Sequence, residues 1–226
     1  MPSPHRITSR QNPRVQEAVR LRTGRERKRR GRCLIDGSRE IGRALAAGVR
    51  PVEAFVCEPL CDSAESRTAL AALESAGAAI WAVTPEVFAK LAFGEREQAG
   101  IVLVAEVPTR QIADLRLPAE PLVAVVEGVE KPGNLGAILR SADAAGVDAV
   151  LVADGRTDLM NPNTIRASLG TVFRANVVAC TAVEALAWLR EQRIAVYAAR
   201  PEAPMSYTAA DFRGAVASSW EAKRRA

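Results

Sequence analysis

The 226-residue chain is 48% hydrophobic and 25% charged, with a net charge of +5. No apolar run approaches the ~20 residues of a membrane span, and the basic start carries no apolar stretch of the signal-peptide kind, so a soluble, cytoplasmic protein with no membrane partner is expected. Cys33, Cys57, Cys61 and Cys180 form no CxxC pair and the single histidine, His5, falls in an expected tail, so neither a metal site nor a disulfide framework is expected, and the thiols read as reduced and buried.

The charge is concentrated. Residues 1–32 hold ten arginines and Lys28 against Glu17 and Glu26, a local charge of +9, and the rest of the chain sums to −4. A basic end of this kind suits a polyanion, because guanidinium groups fork onto phosphates and stack on bases. Arg22, Arg25, Arg29 and Arg32 fall three and four apart and would share a helical face, with Arg27, Lys28 and Arg30 beside them, while Gly24 and Gly31 weaken the helix. These seven residues are the expected nucleic-acid contacts; a solvated, partly disordered tail is the bland alternative.

In chain order, residues 1–10 read as a loose arm, and Pro13 starts a helix with Val15, Ala18 and Val19 on one side. Short strands and helices then alternate. Strands are expected at Cys33–Asp36, Val52–Cys57, Ile80–Val83 and Ile101–Val107. Helices are expected at Ser38–Ala47, from an Asp62–Glu65 capping box to Gly77, and from Pro85 through Leu91. This is a compact α/β domain over residues 1–107. The proline-bearing stretch 108–121 reads as a linker.

The second domain, residues 122–226, has more apolar strands, expected to be parallel, at Leu122–Val126, Ala149–Ala153, Ala175–Ala179 and Ile194–Ala199. After the first comes Glu127-Gly-Val-Glu-Lys-Pro-Gly-Asn-Leu-Gly-Ala-Ile-Leu-Arg140, where Pro132-Gly133 breaks the strand and Asn134 is expected to cap a helix burying Leu135, Ile138, Leu139 and Ala142. Arg140 is left on another face, either to gather phosphate or ribose oxygens near the helix start or simply to pair with Asp143 at i+3. Asn161, followed by Pro162, caps a second helix that Gly170 ends, and a third runs from about Ala182 to Arg193. Two asparagine-led helix starts at the carboxyl edge of one sheet would make a polar pocket, although capping alone explains both. No GxGxxG, Walker loop, HExxH or Ser-His-Asp set occurs.

The motifs carry a likeness. Asn134-Leu-Gly-Ala-Ile-Leu-Arg-Ser-Ala-Asp-Ala-Ala-Gly146 resembles the first motif of the SpoU (TrmH-like) branch of the SPOUT RNA methyltransferases, and Asn161-Pro-Asn-Thr-Ile-Arg-Ala-Ser-Leu-Gly-Thr-Val-Phe-Arg174 resembles the segment that follows it. Ile7-Thr-Ser-Arg-Gln-Asn-Pro-Arg-Val15, Leu34-Ile-Asp-Gly-Ser-Arg-Glu-Ile41 and Gln98-Ala-Gly-Ile101 are similar to that family's N-terminal substrate-binding domain. The resemblance implies a small ribosomal-protein-like α/β RNA-binding domain followed by a parallel-sheet SPOUT methyltransferase domain of the α/β knot type. It implies a homodimer that transfers a methyl group from S-adenosylmethionine to a ribose 2′-hydroxyl of rRNA or tRNA, with Asn134 and Arg140 as substrate and catalytic residues.

The family pattern continues after Ala198-Ala-Arg-Pro-Glu202 to a Gly-Asn-Glu-Gly-like loop and a Ser/Asn-rich segment. This sequence instead runs through Asp211-Phe-Arg-Gly-Ala-Val-Ala217 to Ser-Ser-Trp-Glu-Ala-Lys-Arg-Arg-Ala226. A C-terminally incomplete methyltransferase domain is therefore expected, truncated or frameshifted, with the cofactor-binding residues unassigned and the knot open. Two other readings accompany this one: a non-catalytic RNA-binding protein or fragment using the basic run, and an α/β enzyme acting on a small molecule.

Overall fold

The computed structural model describes residues 6–93, 99–174, 176–200 and 202–221. His5, Gln98 and Ala175, which figure in the sequence reading, lie outside the described residues. The chain forms two compact units, Met1–Pro108 with Met160–Phe173, and Thr109–Leu159 with Arg174–Ala226.

In the first unit the expected loose arm contains a two-residue strand, β1 (Arg6–Ile7). Helix α1 (Pro13–Arg20) has proline at its first position and Asn12 as cap, whose side chain accepts from the Arg14 N–H at 2.9 Å. The basic run breaks at Leu21–Thr23 and restarts as α2 (Gly24–Arg30), which Gly31 ends in the left-handed region at φ 62°. Then follow β2 (Arg32–Asp36), α3 (Ser38–Ala46), β3 (Pro51–Val56), α4 (Ala64–Ser75), β4 (Ala79–Val83), α5 (Pro85–Leu91) and β5 (Ile101–Glu106). The cap of α4 is Ser63, accepting from the Ser66 N–H, rather than the expected Asp62 box.

The sheet order is β1-β4-β3-β5-β2, with β1, β4 and β3 parallel and β5 antiparallel to both its neighbours. Val15, Ala18 and Leu21 join Phe55, Val87, Phe88, Leu91, Val102 and Val104 in one core cluster, which fixes the start of the basic run to the sheet.

The second unit begins with β6 (Leu122–Glu127), α6 (Pro132–Ala144) and β7 (Ala149–Ala153). The chain then contributes α7 (Pro162–Ala167) and a 3-10 turn at Thr171–Phe173 to the first unit, where α7 packs on β2. It returns as β8 (Val177–Cys180), α8 (Ala182–Glu191), β9 (Ala195–Ala199) and β10 (Val216–Glu221). The sheet is entirely parallel in the order β8-β7-β6-β10-β9. Val123, Val125, Leu151, Val178 and Ala217 meet Ala185, Trp188 and Leu189 of α8 on one face.

Two differences from the sequence reading bear on function. Helix α6 starts at Pro132 instead of near Asn134, because a proline at the first helical position sacrifices only an N–H that has no partner there anyway. Asn134 is thus the third helical residue and not the cap; Lys131 holds that place without a side-chain bond. The other difference is β10, a strand not expected from Val-Ala-Ser-Ser-Trp-Glu221, which inserts between β6 and β9 with Ala217 opposite Val123 and Val196.

Candidate functional site

Helix α6 presents Asn134 and Arg140. Leu135, Gly136, Leu139 and Ala142 are buried, and Asn134, Ala137, Arg140 and Ser141 are exposed. Six helical residues place Arg140 about 9 Å along the axis from Asn134 and about 120° around it, so both reach solvent without sharing a face. The first turn of α6 has no acidic residue and no side-chain cap, and the Gly133 and Asn134 N–H groups keep its start favourable to an anion.

Several carboxylates of the second unit are already engaged. Glu130 pairs with Arg156 at 2.5 Å. Asp148 accepts from the Leu122 N–H at 2.8 Å, and Asp154, in the left-handed region at φ 45°, accepts from the Ala182 N–H at 3.3 Å. Asp143, the expected bland partner of Arg140, is bound to Arg174 instead. Among the described residues Arg140 has no ion-pair partner. Asn134 and Asn161 fall in different units, and Asn161 caps α7, accepting from the Asn163 N–H at 2.9 Å.

In the first unit the basic run divides. Arg27 is 3% exposed and donates to the Leu21 and Arg22 carbonyls, each at 2.8 Å. Arg22 is half-buried, donates to the Lys90 and Ala92 carbonyls at 2.8 and 2.9 Å, and lies over the Phe93 ring at 4.6 Å. Burial pushes its pKa down, against the pull of Asp36. Arg29 and Arg30 both hold Glu26, whose carboxyl their hydrogen bonds push down to about 2, and Arg30 also reaches Glu17 at 3.4 Å. Arg25, Lys28 and Arg29 are exposed and Arg32 is half-buried.

The sequence reading singled out neither Asp36 nor Arg166 as a site residue. Asp36 accepts the Phe93 N–H at 2.6 Å, Arg166 of α7 donates to the Phe93 carbonyl, and Arg22 covers its ring. Burial pushes the Asp36 carboxyl up, against the Phe93 N–H, Arg166 and Arg22. Side chains from three other segments thus meet on Phe93. Both Asp36 and Arg166 lie inside motifs quoted above, which was their available signal.

Residues 121–219 match the family described as SpoU rRNA methylase, and residues 12–102 match the MRM3-like substrate binding domain. The 23S rRNA (guanosine-2′-O-)-methyltransferase RlmB of Xylella fastidiosa is 30% identical over 184 residues, 77% of this chain and 74% of that protein. The chain belongs to the SpoU rRNA methylase family. Another relative, the 23S rRNA (guanosine(2553)-2′-O)-methyltransferase RlmP of Bacillus subtilis, is 30% identical over 76% of this chain, and the match spans 64% of its length. A solved RNA 2′-O ribose methyltransferase is 40% identical, with a TM-score of 0.82 over 96% of this chain and 81% of that one. The SpoU methyltransferase AviRb of Streptomyces viridochromogenes, solved in complex with AdoMet, shares the fold at a TM-score of 0.81 and 24% identity, over 93% of this chain and 82% of that one.

Proposed function

We propose that this SpoU-family chain is an rRNA methyltransferase that moves a methyl group from S-adenosylmethionine to a ribose 2′-hydroxyl, with the first unit binding RNA and Asn134 and Arg140 addressing the reacting nucleotide. Family membership supports the reaction. The observation that carries the site is the exposed Arg140, without an ion-pair partner among the described residues, on a helix whose start favours anions.

Arginine stays protonated and cannot take the hydroxyl proton. Its role is to orient a phosphate or the ribose and to stabilise negative charge growing on the 2′-oxygen, while Asn134 supplies a neutral donor and acceptor near the helix start. Arg25, Lys28, Arg29 and Arg32 are the basic residues best presented to RNA. Arg22 and Arg27 support that surface through the backbone carbonyls they hold.

S-adenosylmethionine supplies the methyl group when bound. The described residues of the second unit do not by themselves form a cradle for it. Among the described residues, the buried polar side-chain atoms left over, Arg22 Nε and Thr164 Oγ1, both belong to the first unit, and Gly128 and Gly133 face open space. Asn134 and Arg140 therefore act on the RNA side. No described helix is long and apolar enough to cross a membrane. A cytoplasmic homodimer fits an rRNA substrate and the apolar side chains that the second unit exposes, Val183, Leu186, Val196, Phe212 and Trp220.

The test uses S-adenosylmethionine with a tritiated methyl group and deproteinised bacterial rRNA. Label is expected in alkali-stable dinucleotides, since a methylated 2′-oxygen cannot attack its neighbouring phosphate. Arg140→Ala should lower transfer by about a hundredfold or more while RNA retention stays nearly intact. RNA retention without any wild-type transfer would replace this reading by that of a non-catalytic RNA-binding protein.

A further inference from the structure

Asp143 is the one carboxylate on α6, three residues beyond Arg140, a spacing at which helical side chains meet. It also stands in the last turn, where the helix dipole disfavours a negative charge and no basic residue of that turn offsets it. Such a carboxylate draws in a cation, and two are within the unit's reach. Arg140 lies on the same helix. Arg174 arrives from another segment, immediately after the 3-10 turn, where the chain re-enters the second unit. The structure pairs Asp143 with Arg174, at side-chain exposures of 29% and 50%.

We propose that Arg174 is a positioning residue for Arg140: by occupying the Asp143 carboxylate it keeps the Arg140 guanidinium free for RNA phosphate or ribose. The proposal rests on the assignment of Arg140 to the substrate. Had Arg174 been absent, the i,i+3 pair would fold Arg140 back along its own helix and neutralise it. The arrangement differs from a plain tether between α6 and the re-entering chain. In a tether both partners matter equally, whereas here removing the arginine does harm and removing the carboxylate does not.

The experiment uses the full chain and phenylglyoxal, which modifies free guanidinium groups, with the Arg140 modification rate read by peptide mass spectrometry against the exposed Arg190. Arg174→Ala should slow Arg140 modification by about two- to threefold, the size of an i,i+3 helical ion pair. Asp143→Asn alone should leave the rate unchanged, and the double variant should return it to the wild-type value. Arg174→Gln, which retains side-chain length and polarity, guards against local unfolding and should behave like the alanine variant. An unchanged Arg140 rate in both Arg174 variants, or a double variant that stays slow, overturns the proposal.

Transfer to deproteinised bacterial rRNA gives the second readout. The same two- to threefold loss and its rescue by Asp143→Asn are expected, with RNA retention unmoved. A loss of retention equal to the loss of transfer would make Arg174 a general charge contact with RNA and would also overturn the proposal. If the wild-type chain transfers nothing while Arg140 modification responds as described, the positioning stands and the assigned reaction fails, so the two failures are distinguishable.

Discussion

The basic run of the first unit, with Arg166 beside it, and helix α6 of the second use arginine differently. In the first, Arg22, Arg27 and Arg166 donate to backbone carbonyls of Lys90, Ala92, Leu21, Arg22 and Phe93, and so hold together turns that would otherwise bury unpaired acceptors. In the second, Arg174 holds Asp143 and Arg140 is left exposed. Charge written in a sequence is therefore not charge offered to a ligand. The dense run at residues 22–32 contains structural arginines, whereas the sparse α6 offers one with no ion-pair partner among the described residues.

The sharpest way to break this contrast is to exchange the consequences. Arg27→Met keeps much of the side chain's volume but removes two hydrogen bonds from a charged donor to carbonyls beneath the surface. It should cost about 3 kcal/mol in urea denaturation. Arg140→Ala, at an exposed helical site, should fall within about 0.5 kcal/mol of wild type. Equal costs at the two positions would show that the division into structural and presented arginines is false.

A smaller effect should appear in RNA binding. Replacing Arg25, Lys28, Arg29 and Arg32 by glutamine one at a time should reduce the slope of log affinity against log salt by about 0.7 to 0.9 for each that touches a phosphate. Filter binding on bacterial rRNA over a salt series measures this. Arg29 should give the smallest change of the four, because Glu26 competes for its guanidinium at 2.6 Å. A slope unaffected by all four would place the RNA elsewhere on the protein.

Much of the fold was readable because the relevant signals are local. Pro13, Pro85 and Pro162 each stand at a helix start, and β7 has the expected bounds Ala149–Ala153. What could not be read depends on distant partners. Strand β10 carries Ser218, Ser219 and Trp220 and gains its identity from β6 and β9 on either side, pairings that no window of sequence contains. The α7 segment follows β7 in the chain, yet Arg166 binds the Phe93 carbonyl and Arg43 the Leu169 carbonyl, so it is counted with the first unit. The site divides similarly. Arg140 was legible from the helical period, but its availability depends on Arg174, which lies beyond α7. Burial leaves no mark on a run of like charges, so Arg27 looks like its exposed neighbours in sequence; only the Thr23-Gly-Arg-Glu26 pattern, which signals a new helix start, marks where the run breaks.

The smallest effect concerns Asp36, where the first unit's structural charges meet. Its carboxyl is pushed up mainly by burial, with the Phe93 N–H, Arg166 and Arg22 acting against that shift. A folded carboxyl that holds its proton more tightly than the unfolded one favours the native state when protonated. That contribution is present at low pH and is lost as pH rises from the ordinary carboxylate range through the raised value. Asp36→Asn copies the neutral form and keeps an oxygen for the Phe93 N–H. At neutral pH the variant should be at least as stable as wild type, and its advantage should shrink as pH falls toward the carboxylate range. Glu40, also pushed up by burial and further by the charge of Asp36, should titrate lower in the variant. Asp36→Ala should instead lose about 1–2 kcal/mol across the range, because the Phe93 N–H keeps no acceptor. Urea denaturation of the three proteins across that pH span decides the matter. An asparagine variant that is costly at neutral pH and harmless in acid would mean that the attraction of Arg22 and Arg166 outweighs desolvation, and that the first unit needs the Asp36 charge itself as well as its hydrogen bond.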